Sequence, residues 1–390
     1  MRHLKYLLLL LSIVCTTSYG ALLSQDVEVL KLLQGVQYLE DPSTELELDD
    51  IKHMSHQFKE WSDWGTELNF GFTKSAYWIR IPLQKTHDAP EEWLLEVHYA
   101  KLSELDFYSP HRPPIHTGSL RLVQSKSFFD RYFVFPIQLT SDTDYYYLRA
   151  TSHYALSMPL QIWQPDSFRK NQYQTLLLQF MYYGGLMALI IYSLFFAISL
   201  KDERFFIYSL YALNVCIGVF ASNGFGRLLL WPDAPKFDDA SQSMFLSMAA
   251  FFGVLFSRVI LKVHDHHPRT DQCMRWSGIG FLIISLMCAL QIWYPIPLAV
   301  INQILMLNSI LMGTVVFLAS IQASIARKKG IRYFMLGWTV LWLGVSIAAL
   351  RAFGLVPSNS FTSYAVQIAT SIEMFMLAWA LSEIVHIEQK

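Results

Sequence analysis

Charge is scarce in this chain. Only 16% of its 390 residues are Asp, Glu, Lys or Arg, against roughly 25% in an ordinary soluble domain. Thirty basic residues against thirty-one acidic ones leave a net charge of −1. No surplus of positive charge awaits a polyanion, which excludes nucleic acid as the main partner. Cysteine is scarce as well: four in all, and none from Ala21 to Gln174. That segment is therefore held by a packed core and not by disulfides. Cys216, Cys273 and Cys288 show no metal-ligand spacing. A Gly-rich phosphate loop, a nucleophile elbow and a zinc-protease HExxH sequence are all missing. His264-Asp265-His266-His267 is a lone histidine cluster, so it reads as a solvated loop, and no metal or cofactor is expected.

Apolar residues are abundant: 53% of the chain, 15% aromatic, with a mean hydropathy of +0.30. They open with Arg2, His3 and Lys5 before the run Tyr6 to Val14, followed by small residues ending at Gly20. A basic start, a short apolar core and small residues at the −3 and −1 positions predict a signal peptide over 1–20. An uncleaved anchor is the alternative, and Val14 before Cys15 speaks against a lipoprotein site.

From residue 22 to 170 the pattern has period two, the signature of half-buried strands. Ile79, Ile81 and Leu83 face one way with Trp78, Arg80 and Pro82 opposite. Trp93, Leu95, Val97 and Tyr99 form a second set, with Leu94, Glu96 and His98 behind them. Phe133, Phe135 and Ile137 make a third, and Tyr146, Leu148 and Ala150 a fourth. Turn-rich stretches separate them, which predicts a β-sandwich or jelly roll.

From residue 173 to 385 the chain holds seven apolar runs, about 174–200, 205–223, 240–261, 276–293, 298–326, 333–353 and 361–385. Each approaches or exceeds the ~20 residues that cross a ~30 Å hydrocarbon layer as a helix. Basic residues gather in alternate turnarounds: Lys201 and Arg204; Lys262, Arg269 and Arg275; Arg327, Lys328, Lys329 and Arg332. The intervening loops hold only Arg227 and Lys236. By the positive-inside rule the β domain is outside and the C-terminus, with a short tail over 386–390, is cytoplasmic. The bacterial inner membrane, with the β domain in the periplasm, is the expected location.

These features together resemble a bacterial receptor family, the 7TM receptors with diverse intracellular signalling modules. In the exported part the resemblance rests on Ser75-Ala76-Tyr77-Trp78-Ile79-Arg80, Trp93-Leu94-Leu95-Glu96-Val97, Leu105-Asp106-Phe107-Tyr108, Thr117-Gly118, Arg131, Tyr147-Leu148-Arg149 and Pro159-Leu160-Gln161-Ile162-Trp163. In the membrane part it rests on Tyr183-Gly184-Gly185-Leu186-Met187, Ile191-Tyr192-Ser193-Leu194-Phe195, Phe205-Phe206-Ile207-Tyr208-Ser209-Leu210-Tyr211, and Glu373 with Leu377-Ala378-Trp379-Ala380-Leu381-Ser382. The resemblance implies a jelly-roll sensor domain akin to carbohydrate-binding modules before a seven-helix transducer. In the family the last helix usually continues into a kinase, cyclase or other output module. Only Glu383 to Lys390 follow here, so the chain is either a fragment or signals through a separate cytoplasmic protein, and an enzymatic activity is not expected.

Candidate ligand residues are those on the strand faces opposite the apolar sets: Trp78, Arg80, Glu96, Tyr147 and Arg149, sharing one face if their strands are neighbours. Aromatic rings and guanidinium forks suit a sugar or a carboxylate, and an ordinary solvated face or a structural ion pair is the bland alternative. Arg131 joins them through the resemblance alone. Charge inside a membrane is costly and therefore informative. Glu373 falls near the middle of the last helix and Arg351 toward the outer end of the sixth, where the two can pair or Arg351 can snorkel to the interface. Asn214, Asn302, Gln303, Asn308 and Gln322 are placed to bond between helices. Gly184 with Ala188 and Gly344 with Ala348 have the small-xxx-small spacing of close helix approach, one route to a homodimer. The leading expectation is a non-enzymatic sensor of an extracytoplasmic small molecule or carbohydrate. A small-solute transporter or channel is the alternative, and a membrane-embedded enzyme lacks its ligand or nucleophile set.

Overall fold

The computed structural model describes residues 21–388 apart from 62–66, 141, 295 and 326–330. The signal peptide expected over 1–20, and Arg327, Lys328 and Lys329, lie outside the described residues. So do the side chains of Asp265, His266 and Gln322.

Among the described residues thirteen strands build the N-terminal part: β1 Ala21–Leu23, β2 Val29–Lys31, β3 Gln37–Asp41, β4 Lys59–Glu60, β5 Leu68–Asn69, β6 Ala76–Lys85, β7 Glu92–Val97, β8 Glu104–Tyr108, β9 Ile115–Thr117, β10 Phe133–Gln138, β11 Asp144–Thr151, β12 Ser157–Met158 and β13 Leu160–Trp163. One sheet runs β4-β3-β6-β11-β8-β9 with β1 parallel on β6; the second runs β10-β7-β13-β2; β5 and β12 form a small pair. All four alternating sets of the sequence meet between the two large sheets. Ile79 and Ile81 stand opposite Leu148 and Tyr146 in one sheet, and Leu95 stands between Phe135 and Ile162 in the other. All of them are buried in one core, and Phe107 stacks on Phe135 across it with ring centres 4.6 Å apart. Packing one apolar face of each sheet against the other is what makes the sandwich stable.

Seven helices follow and are long and apolar enough to cross a membrane: α1 Pro165–Leu200, α2 Glu203–Ser222, α3 Pro235–Leu261, α4 Pro268–Leu290, α5 Leu298–Ile325, α6 Ile331–Ala352 and α7 Ser360–Glu388. Consecutive helices pack as neighbours, α3 also touches α5, and α7 closes the bundle against α1 and α2. Helix α1 begins nine residues before the apolar run foretells, because its first turns are polar outside and no hydropathy signal marks them. Pro165 at the first turn fits a helix start. At 36 residues α1 is about 54 Å long, well beyond a ~30 Å hydrocarbon layer, so its upper end stands clear of lipid. There Phe168 packs with Leu94, Val134 and Trp163 on the outer face of the second sheet. A single residue, Gln164, separates β13 from α1.

The two small-residue seams differ. A Cβ on Gly344 would stand 2.3 Å from the Ala369 Cβ and 3.0 Å from the Ala365 carbonyl oxygen, whereas at Gly184 nothing lies within 4 Å. The Gly344 seam therefore joins α6 to α7 within one chain. Gly344→Val is expected to destabilise the detergent-solubilised protein by about 1–3 kcal/mol through overpacking, seen as a lowered unfolding temperature. Gly184→Val is expected to leave that temperature unchanged, and a loss of dimer in the same variant would mark the Gly184 face as a self-association surface.

Candidate functional site: a polar junction above an intramembrane cavity

The start of α3 carries two acids, Asp238 and Asp239, in a setting where carboxylates are favoured by the exposed N–H groups of a helix N-terminus but water is excluded. Asp238 is 1% and Asp239 0% exposed. Unpaired, such charges would cost several kcal/mol each. The β domain supplies most of their partners. Lys101, itself 1% exposed, places its ammonium 3.0 Å from Asp238 Oδ2 and donates to the Asp238 carbonyl oxygen at 2.9 Å. The Trp231 indole N–H donates to Asp238 Oδ1 at 2.8 Å. His153 Nδ1 lies 2.7 Å from Asp239 Oδ2, and the Tyr154 hydroxyl donates to the Asp239 carbonyl oxygen at 2.5 Å. The hydrogen bond that His153 donates to Asp239 raises the His153 pKa against the opposing effect of burial, so the protonated imidazolium is the form this contact favours.

Further bonds ring the same contact. Asn302 on α5 donates to the His153 carbonyl oxygen at 3.2 Å and accepts from Ser243 on α3. Asn69 donates to the Arg351 carbonyl oxygen at 2.7 Å, and Ser358 donates to Glu67 at 2.9 Å. Arg227 donates to the Arg121 carbonyl oxygen. Gly224, at φ +80°, carries the α2–α3 loop under the β domain: a Cβ there would stand 2.8 Å from both the Ala100 Cβ and the Arg131 carbonyl oxygen. Only glycine suits that left-handed backbone at that distance.

Beneath the junction a cavity of about 310 Å³ descends between the helices. Asn69, Tyr99, Lys101 and Tyr154 of the β domain line its top, and Tyr211, Phe281, Trp338 and Trp342 line the bundle part. Tyr211 links the cavity to α7, because its hydroxyl donates to Glu373 Oε1 at 2.9 Å. The neighbouring Tyr208 donates to the Met374 carbonyl oxygen at 2.9 Å. Among the described residues the buried Glu373 Oε2 finds no partner.

The expected pairing of Arg351 with Glu373 is not made. Arg351 Nη1 donates to Ser363 Oγ at 2.9 Å, and Ser363 precedes Glu373 by ten residues on α7, about 15 Å along the axis. The two groups sit at different depths. The six ligand candidates also divide, because β6 and β11 belong to one sheet and β7 to the other. Trp78, Arg80, Tyr147 and Arg149 share the outer face of the larger sheet, with Tyr147 opposite Arg80 and Arg149 opposite Trp78. Trp78 is 0% exposed and stacks on Tyr108. Arg80 donates to Gln37 Oε1 at 2.6 Å and lies over the Phe58 ring at 4.5 Å. Arg149 donates to the Thr44 carbonyl oxygen at 2.7 Å and lies 3.6 Å from Asp106.

Glu96 and Arg131 come together elsewhere, in a cavity of about 180 Å³ between the second sheet and α1 that His98, Tyr132, Phe168 and Phe225 also line. Glu96 accepts from the Trp163 indole at 2.8 Å and lies 3.0 Å from His98 Nδ1. Arg131 stacks over Tyr132 and Phe225 at 4.3 and 5.2 Å, and its Nη1 has no partner. Among the described residues no group of three or more His, Cys, Asp or Glu is placed to hold a metal ion.

Lys101, His153, Asp238 and Asp239 were not among the sequence candidates. Their one sequence signal is the pair of acids placed directly ahead of an apolar run, a costly position that demands partners.

A β-sandwich bonded onto one end of a seven-helix bundle defines a multi-pass membrane protein with an extracellular domain. Residues 175–383 match the family described as 7TM diverse intracellular signalling, and residues 33–164 match 7TMR-DISM extracellular 2. The first match alone covers more than half of the chain, and the chain belongs to this family. No curated protein matches it.

Lys101→Met would leave Asp238 charged and buried without its cation. The expected result is a loss of about 3–5 kcal/mol in stability, seen in chemical unfolding of the detergent-solubilised protein. Lys101→Met with Asp238→Asn, which keeps an acceptor for Trp231, is expected to recover more than half of that loss.

Proposed function

We propose that this chain is a non-enzymatic receptor of the bacterial inner membrane. Its β-sandwich faces the periplasm and senses a small molecule or a carbohydrate. The seven helices relay that event to a separate cytoplasmic signalling protein, which reads the inner end of α7. The receptor class follows from the family; the ligand, the orientation and the cytoplasmic partner are the proposal. The alternation of turnarounds rich and poor in basic residues supports the orientation. The β domain sits at the end of the bundle where the poorly charged loops lie, since residues of the α2–α3 and α6–α7 connections bond to it.

One observation carries the reading: the buried Lys101–Asp238 contact ties the β domain to the first turn of α3. A ligand can shift a two-state bundle only by binding its two arrangements with different affinity. A loosely tethered domain would absorb that difference in its linker. Here β13 enters α1 through one residue, and hydrogen bonds, buried at α3 and partly buried at α5 and α6, hold all three helices to the same domain. A tilt of the sandwich therefore moves the tops of several helices together.

A thermal-shift screen of the full chain in detergent against sugars, cell-wall fragments and small acids is expected to yield a stabilising ligand. With a fluorophore on Ser382→Cys in a Cys273→Ser background, that ligand is expected to change the emission. The Lys101→Met variant is expected to keep the thermal shift and lose most of the emission change. An equal emission change in that variant would detach the relay from the junction.

A further inference from the structure

We propose that the intramembrane cavity is a second binding site, distinct from the exported domain's, and that it takes a small amphipathic carboxylate. The cavity, at about 310 Å³, falls in the range that encloses a small organic ligand. Its walls are mainly apolar, with Phe281, Met306, Trp338 and Trp342 among the lining residues. Neutral polar side chains such as Asn69, Asn302 and Gln367 interrupt them, and two cations, Lys101 and Arg351, stand among them. Arg351 lies at the outer end of α6. Its Nη1 donates to Ser363, and among the described residues its buried Nε finds no partner. Guanidinium is never deprotonated under ordinary conditions and presents a fixed fork that fits a carboxylate on two bonds. Among the described residues Arg351 makes no ion pair. The other cation on the lining, Lys101, is already matched by Asp238.

An apolar shaft with a single unmatched cation at its upper rim is complementary to a molecule with an anionic head and an apolar body. The head pairs with Arg351. The body descends past Trp338 and Trp342 toward Tyr211, whose hydroxyl is bonded to Glu373 on α7. A ligand that reaches this floor therefore abuts the helix that leaves the bundle inward. A neutral body of the same shape gains the apolar contacts but leaves the guanidinium unpaired, so the site discriminates acid from alcohol. The inference concerns occupancy of the cavity and holds whether or not the exported domain senses anything.

The test uses the full chain in zwitterionic nanodiscs, with ω-bromodecanoate as the probe and tryptophan fluorescence as the readout. Bromine in the shaft quenches Trp338 and Trp342. The expected result is saturable quenching that Trp338→Phe with Trp342→Phe removes and that unlabelled decanoate competes. ω-Bromodecanol is expected to need at least about tenfold more for the same saturable quenching, or to give none, since it lacks the charge-assisted bonds of the acid to the guanidinium. Arg351→Gln is expected to erase the difference between acid and alcohol, and Arg351→Lys to keep part of it. Equal quenching by acid and alcohol in the unaltered protein would overturn the proposal, even if Arg351→Gln failed to fold. So would acid binding that vanishes when phosphatidylglycerol is added, because a lipid headgroup would then be the occupant of Arg351.

Discussion

Two carboxylates at the top of a membrane helix cannot stay buried and unpaired, and most of the architecture follows from how that demand is met. Asp238 and Asp239 are shielded from water at the first turn of α3. Beside Trp231, their partners come from a different fold class, more than eighty residues earlier in the chain: Lys101 within the β7–β8 connection, and His153 and Tyr154 just after β11. An isolated bundle would leave both acids without cations, and an isolated sandwich would expose a lysine suited to burial. Each part completes the electrostatics of the other. Because breaking one half of a buried pair costs more than the pair itself contributes, the contact resists partial opening.

Continuity of the backbone adds a mechanical link to that electrostatic one. The last strand of the second sheet becomes the first membrane helix across Gln164 alone, and Phe168 of that helix is part of the cluster on the sheet's outer face. The sandwich is thus gripped from two sides, by α1 on one sheet and by α3, α5 and α6 at its base. Below the grip, the cavity and the Tyr211–Glu373 bond provide a physical path from the junction to α7. Packed interiors are bistable more readily than they are elastic, so a displacement at the top has few places to dissipate.

Much of the fold was legible in the sequence because it rests on local periodicity. Ile79, Ile81 and Leu83 alternate with Trp78, Arg80 and Pro82, and they reach the core together. The seven helices were legible for the same reason, since run length and hydropathy are local quantities. The partition of the strands was not. β6 and β7 are joined by a short turn, yet the chain crosses from one sheet to the other there, which separates Arg80 and Arg149 from Glu96. The depths of Arg351 and Glu373 were legible, near the outer end of one helix and the middle of the next, but whether a long arginine side chain bridges them was not, and it bonds Ser363 instead. The junction was the least legible feature of all, because Lys101 meets Asp238 across 137 residues and nothing in either neighbourhood names the other.

The central claim is that the sandwich and the bundle open as one unit because the buried Lys101–Asp238 contact holds them together. Hydrogen–deuterium exchange of the full chain in nanodiscs tests it most directly. The account predicts that amides around Lys101, His153 and the first turns of α3 exchange together and slowly in the native protein. With Lys101→Met they should become fast together while the β6–β11 core stays protected. Fast exchange at the junction of the unaltered protein, or unchanged protection in the variant, would contradict it.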